Sequence, residues 1–587
     1  MLRLCPFMTM NHMDPILNTT GIYSMDYKCF LLCVAVIELI IVVHGATRPH
    51  IIVIVADDLG WNDVSFHGSK QIPTPNIDNL AYDGIILNNY YVSPICTPTR
   101  GAFMTGRHPI HTGLQHGVIL GAEPYGLPLN ETIMPQYLKT LGYRTHMVGK
   151  LLPFSFQWHL GFFQKAYEPV ARGFETHYGY YQGCGDYYDH SYEAVEWHLG
   201  FYKAEHTPLQ RGFDTYRGHY LGCGDYYVHA SEPVEGWFGY DFRRNASLDY
   251  SAIGQYSTEL FNNEAVKIIN QHNVSEVRFW VFYYANSQSC MVSALDDSVG
   301  NVVNALKKKG LYDNSIIVFT TDNGGPANGF DGNAANNSPL RGLKATLWEG
   351  GVRGVGFIHS PLLKTKSYVA EQLIHVCDWM PTLFRAAGGD PSTLKNSDGL
   401  DLWEMLSNNA KAIRTEVLHN IDPKEKKGAI RVGDYKLLVG GINMNHDGWY
   451  PPWQVEEDSK THHVDFIKKF NKRSIGNPFE IEQFENIPES MSLGTSGMSL
   501  GTPVKVKCGV KPANASTNCE PLKAACLYHI PSDPCEFNNI ALQNKDTVQK
   551  LLDRLNEYAN TMVPPLNKPQ DPAGNPQNNN GAWVPWM

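Results

Sequence analysis

The sequence predicts an α/β protein: a large, mixed, mostly parallel sheet between helices, plus a smaller C-terminal α+β domain with an antiparallel sheet. Three observations predict this fold class. Apolar runs of strand length lack alternation, which is typical of strands buried on both faces. Segments with helical periodicity lie between these runs, and the pattern changes after about residue 410. The chain of 587 residues is 43% hydrophobic and 18% charged, which suits two or more globular domains.

Four apolar runs are predicted to be strands of the large sheet. They are HIIVIVADDLG (50–60), YRTHMVGK (143–150), VRFWVFYYA (277–285) and SIIVFTTDNGG (315–325). Helices are predicted over TIMPQYLKTLG (132–142) and MVSALDDSVGNVVNALKKKGL (291–311). In both segments apolar residues recur at a helical period, and a glycine lies near the C-terminal end. Strands that alternate with helices favour a sheet with helices on both faces.

The C-terminal part of the chain, residues 411–587, is predicted to be the smaller domain. GAIRVGDYKLLVGG (428–441) is typical of a hairpin, and TVQKLLDRLNEYANTM (547–562) of a helix. Cys508, Cys519, Cys526 and Cys535 cluster here, and in an oxidising compartment we expect them to form disulfides. Their pairing cannot be read from the sequence.

The N-terminal segment, residues 1–46, is predicted to be an extension and a signal peptide. Counting from Met25, Lys28 precedes an apolar run (29–43) that is short for a membrane span, and small residues follow it. The first 24 residues are then superfluous, as they would be if the start codon were assigned wrongly. The alternative interpretation of the apolar run is a signal anchor. Glycosylation sequons, which suit the secretory pathway, occur at Asn130, Asn245, Asn273 and Asn514, with a weaker one at Asn336. We expect a lysosomal or extracellular protein.

Polar residues collect where the predicted strands end, and parallel strands present their carboxyl ends at one ligand-binding edge. These residues are Asp57, Asp58, Lys150, Asp322 and Asn323. Carboxylate and amide oxygens suit calcium or magnesium better than zinc, so a metal site is predicted here. The alternative is that these groups are solvated strand ends. The net charge of −10 and the lack of a basic stripe argue against nucleic acid as a partner.

A single cysteine, Cys96, lies in SPICTPTRGAFMTGRHPIHTG (93–113), with no second cysteine nearby. Taken alone, the segment leaves three interpretations open. Cys96 is half of a disulfide, a buried structural thiol, or a residue that carries chemistry.

These motifs together resemble those of the type I sulfatase family. CTPTR matches the C-x-P-x-R core of the family signature, and TGRHPIHTG matches its continuation. VADDLGWNDVSFHG, TTDNGG and PLRGLKATLWEGGVRG resemble the other sulfatase blocks. Within the family the chain is most similar to arylsulfatase B, the N-acetylgalactosamine-4-sulfatase, and its insect relatives, from about residue 48 to the end. The resemblance implies an alkaline-phosphatase-like fold, with the catalytic domain at 47–410.

The resemblance also implies a mechanism of sulfate ester hydrolysis. Cys96 is oxidised by the formylglycine-generating enzyme of the endoplasmic reticulum, and one hydroxyl of the aldehyde hydrate attacks sulfur while the other later expels sulfate. A thiol lacks this exit, so the disulfide and structural interpretations lose ground. Arg100 orients the hydrate, and Lys150 and Lys344 clamp the sulfate of a sulfated carbohydrate or aryl sulfate. The implied calcium ligands are Asp57, Asp58, Asp322, Asn323 and the modified side chain of Cys96.

A tandem repeat separates two residues that the family keeps together. Relatives of arylsulfatase B carry GKWHLG, but here Lys150 is followed by LLPFSFQ before WHLG. Residues 158–193 and 197–232 are two copies of one segment, so His159 or His198 supplies the histidine that assists sulfate elimination. The second copy is nearer the family pattern, whereas His159 is favoured by its shorter loop from Lys150.

A second catalytic histidine of the family, the proton donor to the leaving alcohol, is missing here. Ser289 and Cys290 run almost directly into the helix at 291–311, where relatives have some thirty more residues. A general acid contributes about 10²–10⁴-fold in rate. Two alternatives follow. Either the chain is an inactive or impaired relative that binds calcium and sulfated glycans, or the sequence comes from an imperfect gene model and the gene encodes an active enzyme. A phosphatase or phosphodiesterase of the superfamily is disfavoured, because those enzymes use Ser or Thr and histidine-rich zinc sites.

Overall fold

A computed structural model describes residues 48–119, 123–149, 257–273, 278–286, 292–330, 335–441, 446–451 and 501–574, together with isolated positions and short strands between residues 172 and 255. Except for Arg48, these residues belong to one compact unit that spans Pro49–Met587. The predicted signal peptide lies in the other unit, Met1–Arg48, and outside the described residues. Among the described helices, none is both long and apolar enough to cross a membrane.

The strands form one large sheet, one smaller sheet of the C-terminal region and two minor sheets. The large sheet contains β1 (His50–Asp57), β2 (Ile85–Tyr91), β3 (Arg144–Gly149) and β4 (Thr176–Tyr178). The minor sheets contain β5 (Arg217–His219), β6 (Ala230–Ser231), β7 (Gly239–Tyr240), β8 (Phe242–Arg244) and β9 (Ser247–Leu248). The large sheet continues with β10 (Phe279–Asn286), β11 (Ser315–Thr321), β12 (Gly356–His359) and β13 (Tyr368–His375). The C-terminal sheet contains β14 (Glu416–Asp422), β15 (Lys427–Val432), β16 (Tyr435–Gly440) and β17 (Cys526–His529).

The large sheet has the order β13-β2-β12-β11-β1-β10-β3-β4 and is mixed but mostly parallel, as predicted. Only β12 runs against its neighbours β11 and β2. Strand β1 lies between β10 and β11, and every residue of β1 and β11 is buried. Continuous apolar runs are therefore stable here, because both faces of these strands are covered.

Helices lie against both faces of the large sheet and against the C-terminal sheet. They are α1 (Pro75–Asp83), α2 (Cys96–Thr105), α3 (Pro109–Thr112), α4 (Met134–Thr140), α5 (Ser257–Gln271), α6 (Val292–Lys308), α7 (Glu349–Val352), α8 (Trp379–Ala386), α9 (Trp403–Ser407) and α10 (Lys545–Thr561). Alternate residues of β1 point to opposite faces. Ile51 and Val53 pack in a core with α2, α4, α8 and α9, whereas Ile52 and Ile54 pack with α1, α5 and α6.

The C-terminal sheet is antiparallel, as predicted, and α10 packs on one of its faces. Leu551 and Leu555 of α10 pack on Leu418, Ile430 and Leu437. The opposite face of this sheet packs on side chains of the part of the chain that contains the large sheet, including Tyr91, Leu347 and Trp348. The smaller sheet therefore supports the segment that follows Lys344.

The four late cysteines form two disulfides, Cys508–Cys535 and Cys519–Cys526, which confirms that they are paired and supplies the pairing. One sequon is corrected. Asn336 is buried, and its Nδ2 donates to Gln71 at 2.8 Å, so it is not available for glycosylation. The division at residue 410 and the roles of residues 158–193 and 197–232 stay predictions.

Candidate active site

Helix α2 begins at Cys96 and is buried along its whole length. Ile95 before it is extended, and Thr99 Oγ1 accepts a hydrogen bond from the Ser93 amide at 2.8 Å, which fixes the turn into the helix. Cys96 forms no disulfide; with Cys377 it is a free, buried cysteine among the described residues. Its thiol donates to Asn323 Oδ1 at 3.3 Å, so the cysteine points at polar groups and not into an apolar core.

The ends of two neighbouring strands bring the predicted metal ligands together. Asp57 ends β1 and Asp58 follows it, while Asp322 and Asn323 follow β11. The Asp58 amide donates to Asp322 Oδ1 at 3.3 Å, and Asn323 Nδ2 donates to Asp58 Oδ1 at 2.7 Å. Asp58 has a positive φ of 61°, a conformation that Asp adopts more readily than most residues. The chain thus turns at this point and keeps both aspartates at the site.

Two cationic side chains face these carboxylates. Arg100 lies one turn into α2, and its Nη2 donates to Asp322 Oδ2 at 2.7 Å and lies 3.5 Å from Asp57 Oδ2. Lys344 Nζ lies 3.0 Å from Asp58 Oδ2, and its side chain is only 4% exposed. Lys344 is therefore a buried lysine and not a surface lysine.

The loop that carries Lys344, residues 340–346, is tied to both neighbouring segments. The Lys344 amide donates to the Gly325 carbonyl at 3.3 Å, and the Ala345 amide donates to the Pro94 carbonyl at 2.7 Å. At Gly324 a Cβ would lie 1.8 Å from the Gly350 carbonyl oxygen, so only glycine fits this close approach. The Lys344 loop is thereby held against the strand end and the Cys96 turn.

Burial and crowding of charge set the electrostatics of the site. Burial, and then the Asp322 and Asp58 carboxylates, raise the pKa of Asp57 well above its usual range. Burial also opposes ionisation of Asp322, but the Arg100 guanidinium, a hydrogen bond with Asp57 and the charge of Lys344 together lower the pKa of that carboxyl. Burial, followed by Asp322, raises the pKa of the Cys96 thiol, so the unmodified thiol is neutral and a poor nucleophile.

This donor set fits a hard divalent cation. Ligating atoms of Asp57, Cys96 and Asp322 all lie within 4.8 Å of one another. The charged groups that act on Asp57 are two further carboxylates and the cations Arg100 and Lys344. When ionised, the three carboxylates outnumber the two cations, so the site favours a divalent ion bound through oxygen ligands.

Some predicted site residues lie outside the described residues. These are Lys150, His159 and His198, and the junction at Ser289 and Cys290 lies outside them as well. For the remaining residues the structure brings Asp57, Asp58, Cys96, Arg100, Asp322, Asn323 and Lys344 into one buried cluster.

Sequence reasoning missed a buried ion-pair network behind the Lys344 loop. Lys436 Nζ in β16 lies 2.9 Å from Glu349 Oε1 and 2.9 Å from Glu536 Oε1, and all three side chains are fully buried. Tyr91 donates to Glu349 Oε2 at 2.9 Å. These residues are far apart in the chain, so only the folded structure could reveal them.

Comparison with known proteins identifies the class that this fold and cluster define. The sulfatase family model matches residues 49–289 and 283–389. Arylsulfatase J of Mus musculus is 35% identical over 92% of this chain and 81% of the relative, and human steryl-sulfatase is 28% identical over 64% of this chain and 72% of the relative. N-acetylgalactosamine-6-sulfatase of Mus musculus is 26% identical over 61% of this chain and 66% of the relative. The chain belongs to the sulfatase family, a family of sulfuric ester hydrolases.

Solved structures agree on the fold. Ps i-CgsB, determined in complex with k-i-k-neocarrahexaose, has a TM-score of 0.60 at 22% identity, covering 88% of this chain and 94% of that one. The PsFucS1 sulfatase from Pseudoalteromonas sp. has a TM-score of 0.54 at 20% identity, covering 92% and 96%. The alkaline-phosphatase-like sulfatase fold expected from the sequence is confirmed. Closeness to arylsulfatase B in particular stays a prediction.

Proposed function

We propose that this protein releases sulfate from sulfated sugars, with a formylglycine made from Cys96 and with a calcium ion. The observation that carries the proposal is the position of Cys96. It starts a buried helix, and its side chain lies beside the Asp57 and Asp322 carboxylates and the Asn323 amide. The charges of Arg100 and Lys344 also act on it. A cysteine with a purely structural role does not need charged and polar side chains around its thiol.

The raised pKa of the Cys96 thiol supports its conversion, because a neutral, buried thiol would not attack a sulfate ester. The oxidised side chain supplies a hydrated aldehyde, whose two hydroxyls allow covalent sulfate transfer and later release of the sulfate. Calcium, when bound by Asp57, Asp58, Asp322 and Asn323, lowers the pKa of a hydroxyl and neutralises sulfate oxygens.

The protein's own cations bind and orient the reacting groups. Arg100 is held in place by Asp322, so its guanidinium is fixed one helical turn from residue 96 and can orient the nucleophilic group there. Lys344 is buried beside Asp58, and its ammonium can stabilise charge on the sulfate. Lys150 and one of His159 and His198 are proposed to add a second clamp and a proton-transfer group.

Sulfated sugars are the proposed substrates because relatives named for N-acetylgalactosamine-6-sulfate hydrolysis share the family and the fold. An aryl sulfate is the practical probe, since its leaving group needs little help from a general acid. The proposed location is the secretory pathway, ending in the lysosome or outside the cell. Two disulfides and the exposed sequons at Asn130, Asn273 and Asn514 support it. The formylglycine-generating enzyme of the endoplasmic reticulum is then the partner that modifies Cys96.

A second candidate function is binding without efficient turnover. It is favoured by the way the sulfatase family model matches the chain in two stretches, which overlap at residues 283–289. This overlap lies beside the junction at which the segment with the second catalytic histidine is expected to be missing. Sequencing the native transcript across the codons for Ser287 to Met291 separates the cases. An added stretch with a histidine supports the working enzyme, whereas an unchanged junction supports the impaired relative.

The proposed function is tested by sulfate release from an aryl sulfate by protein secreted from cells that make formylglycine. Cys96→Ala is expected to abolish release. Cys377→Ala removes the other described free, buried thiol and is the matched control, which should keep activity. Release that survives Cys96→Ala would refute the mechanism.

A further inference from the structure

Arg341 has no role in the reaction as proposed so far, although it lies in the Lys344 loop, three residues before Lys344. Its side chain is fully buried. The central carbon of its guanidinium lies 3.6 Å from the centre of the Trp348 ring and 4.5 Å from the centre of the Trp449 ring. Because the attraction between a cation and an aromatic ring is stronger away from water, these two rings hold the guanidinium in place.

Hydrogen bonds fix the orientation of the same guanidinium. Its Nε donates to the Asp447 carbonyl at 2.9 Å, and its Nη2 lies 3.3 Å from Asp447 Oδ2. Its Nη1 donates to the Tyr528 hydroxyl at 3.3 Å and to the Glu536 carbonyl at 3.4 Å. Arg341 therefore ties the Lys344 loop to three other places in the chain.

Residues 446–450, which we call the Trp449 segment, connect the Lys344 loop to the disulfide-linked part of the chain. The Gly342 amide donates to the Gly448 carbonyl at 2.8 Å. Trp449 Nε1 donates to the carbonyl of Cys535 at 2.7 Å, and Cys535 is bonded to Cys508. The Trp449 segment is thus anchored on one side and holds the Lys344 loop on the other.

The backbone of the Lys344 loop needs such support. Ala345, next to Lys344, has a φ of 69°, in the left-handed region that costs free energy for a residue with a Cβ. A conformation of this kind persists only where the surrounding contacts determine it. The Ala345 amide is held by the Pro94 carbonyl, and the contacts of Arg341 and Gly342 hold the preceding part of the loop.

The position of the Lys344 ammonium depends on this backbone. Its Nζ lies 3.0 Å from Asp58 Oδ2 in a buried place, so a small movement of the loop would displace it from the site. A displacement of about 1 Å can cost an enzyme about 10²-fold in rate even when its cause is remote from the chemistry.

We infer that Arg341 and Trp449 are positioning residues: the contact between guanidinium and indole holds the Lys344 loop in the conformation that presents the Lys344 ammonium to the substrate. Both act through Lys344 and not on the substrate. The inference rests on the proposed function, because it takes Lys344 to stabilise charge on the sulfate.

The test compares Trp449→Phe with Trp449→Leu in the full-length secreted protein. Both substitutions leave an apolar side chain and remove the hydrogen bond from Nε1, but only phenylalanine keeps an aromatic face for Arg341. Lys511→Ala is the control. Lys511 is exposed and its Nζ lies 4.0 Å from the centre of the Trp449 ring, so this variant removes a cation from the same indole while Arg341 stays in place.

The first measurement is the rate at which an amine-acetylating reagent labels Lys344, followed by peptide mass, which needs no turnover. Trp449→Leu should raise this rate by about 10-fold, the size expected for the loss of a desolvated cation–π contact. Trp449→Phe and Lys511→Ala should stay close to the wild type. The fully buried Lys436 should remain protected in every variant. An unchanged rate at Lys344 in Trp449→Leu, or an equal rise at Lys436, would overturn the inference, since the latter indicates general unfolding.

The second measurement is a double-mutant cycle on kcat/KM for an aryl sulfate. If Trp449 acts through Lys344, Trp449→Leu should lower kcat/KM by about 10-fold in the wild-type background and by no more than about 2-fold in Lys344→Ala. Equal losses in the two backgrounds would also overturn the inference. Absence of hydrolysis by the wild-type protein would count against the proposed function, and the labelling of Lys344 would then decide whether Trp449 positions it.

Discussion

Asp57→Asn separates metal binding from stability, and its effect can be worked out from the charges at the site. Asp57 is buried between two other carboxylates, and Arg100 lies 3.5 Å away. Without metal, burial and these neighbours make its negative charge unfavourable, as its raised pKa indicates. The neutral amide should therefore leave the metal-free protein as stable as the wild type, or make it more stable.

With calcium, the same substitution removes a charged ligand. A divalent ion and a carboxylate about 4 Å apart interact by about 8 kcal/mol at an effective dielectric constant of 20, twice the value for two unit charges. If only a quarter of this is retained as affinity, calcium binds about 30-fold more weakly to the variant. At a calcium concentration of 100 times the wild-type Kd, the stabilisation then falls from about 2.7 to about 0.9 kcal/mol.

The assay is thermal unfolding with and without calcium. The wild-type Tm should rise by about 3–5 °C, since 1 kcal/mol corresponds to roughly 2–4 °C in domains of 150–250 residues and less in larger ones. Asp57→Asn should show about a third of that rise. Asp434→Asn, an exposed carboxylate in the C-terminal hairpin, is the control and should respond like the wild type. A full calcium response in Asp57→Asn, or none in the wild type, would refute the proposed metal site.

Three further predictions follow from buried groups. Lys344→Ala should lower kcat/KM for an aryl sulfate by about 10²–10³-fold. The control is Lys364→Ala, because the Lys364 side chain is 64% exposed, and it should keep the wild-type rate. Similar rates for the two variants would exclude a sulfate clamp at Lys344. Lys436→Met removes the buried cation between Glu349 and Glu536, and leaves Glu349 with Arg353 at 3.6 Å. Urea unfolding should show a loss of about 3–5 kcal/mol, and a loss no larger than that of Lys523→Met would contradict the network's importance. Burial lowers the pKa of His67 from 6.5 to about 3 in the folded protein. Between pH 6.5 and pH 3 the histidine is therefore protonated in the unfolded chain and neutral in the folded protein, so the free energy of unfolding falls as the pH falls. In His67→Phe the free energy of unfolding should fall less steeply with decreasing pH, by about 1.4 kcal/mol per pH unit. Denaturant titrations at several pH values measure this, and an unchanged pH dependence would count against a neutral His67.

Much of the sheet could be predicted from sequence because its central strands are buried on both faces. The apolar runs that form β1 and β11 have no polar face, so they are easily recognised in the sequence. The acidic residues of the site, Asp57, Asp58 and Asp322, lie at or directly after the ends of these strands. Strand β2, IILNNYY, was not predicted because polar Asn88 and Asn89 interrupt its apolar pattern. Antiparallel β12 is only four residues long, too short to carry a periodic signal.

Helix α2 shows why the site itself needed a resemblance to known motifs. All ten of its residues are buried, so CTPTRGAFMT has no polar face and no 3.6-residue stripe of apolar residues. Polar residues such as Thr97 and Arg100 are buried there because they make specific contacts, which periodicity cannot foresee. Its chemistry was therefore predictable only from the C-x-P-x-R motif.

The contacts that position Lys344 could not be predicted by any local rule. Lys436 and Glu536 are separated from Glu349 by 87 and 187 residues, and their pairing depends on how the C-terminal sheet packs. The same holds for the pairing of Cys508 with Cys535, since four cysteines allow three arrangements.

The most direct test of the central claim is the mass of the tryptic peptide Gln71–Arg100 from protein secreted by cells that make formylglycine. This peptide contains Cys96 and no other cysteine. The account predicts a mass in which the CH₂–SH group of Cys96 is replaced by an aldehyde, with a matching shift after reaction with a hydrazide. A peptide that carries only unmodified cysteine would contradict it.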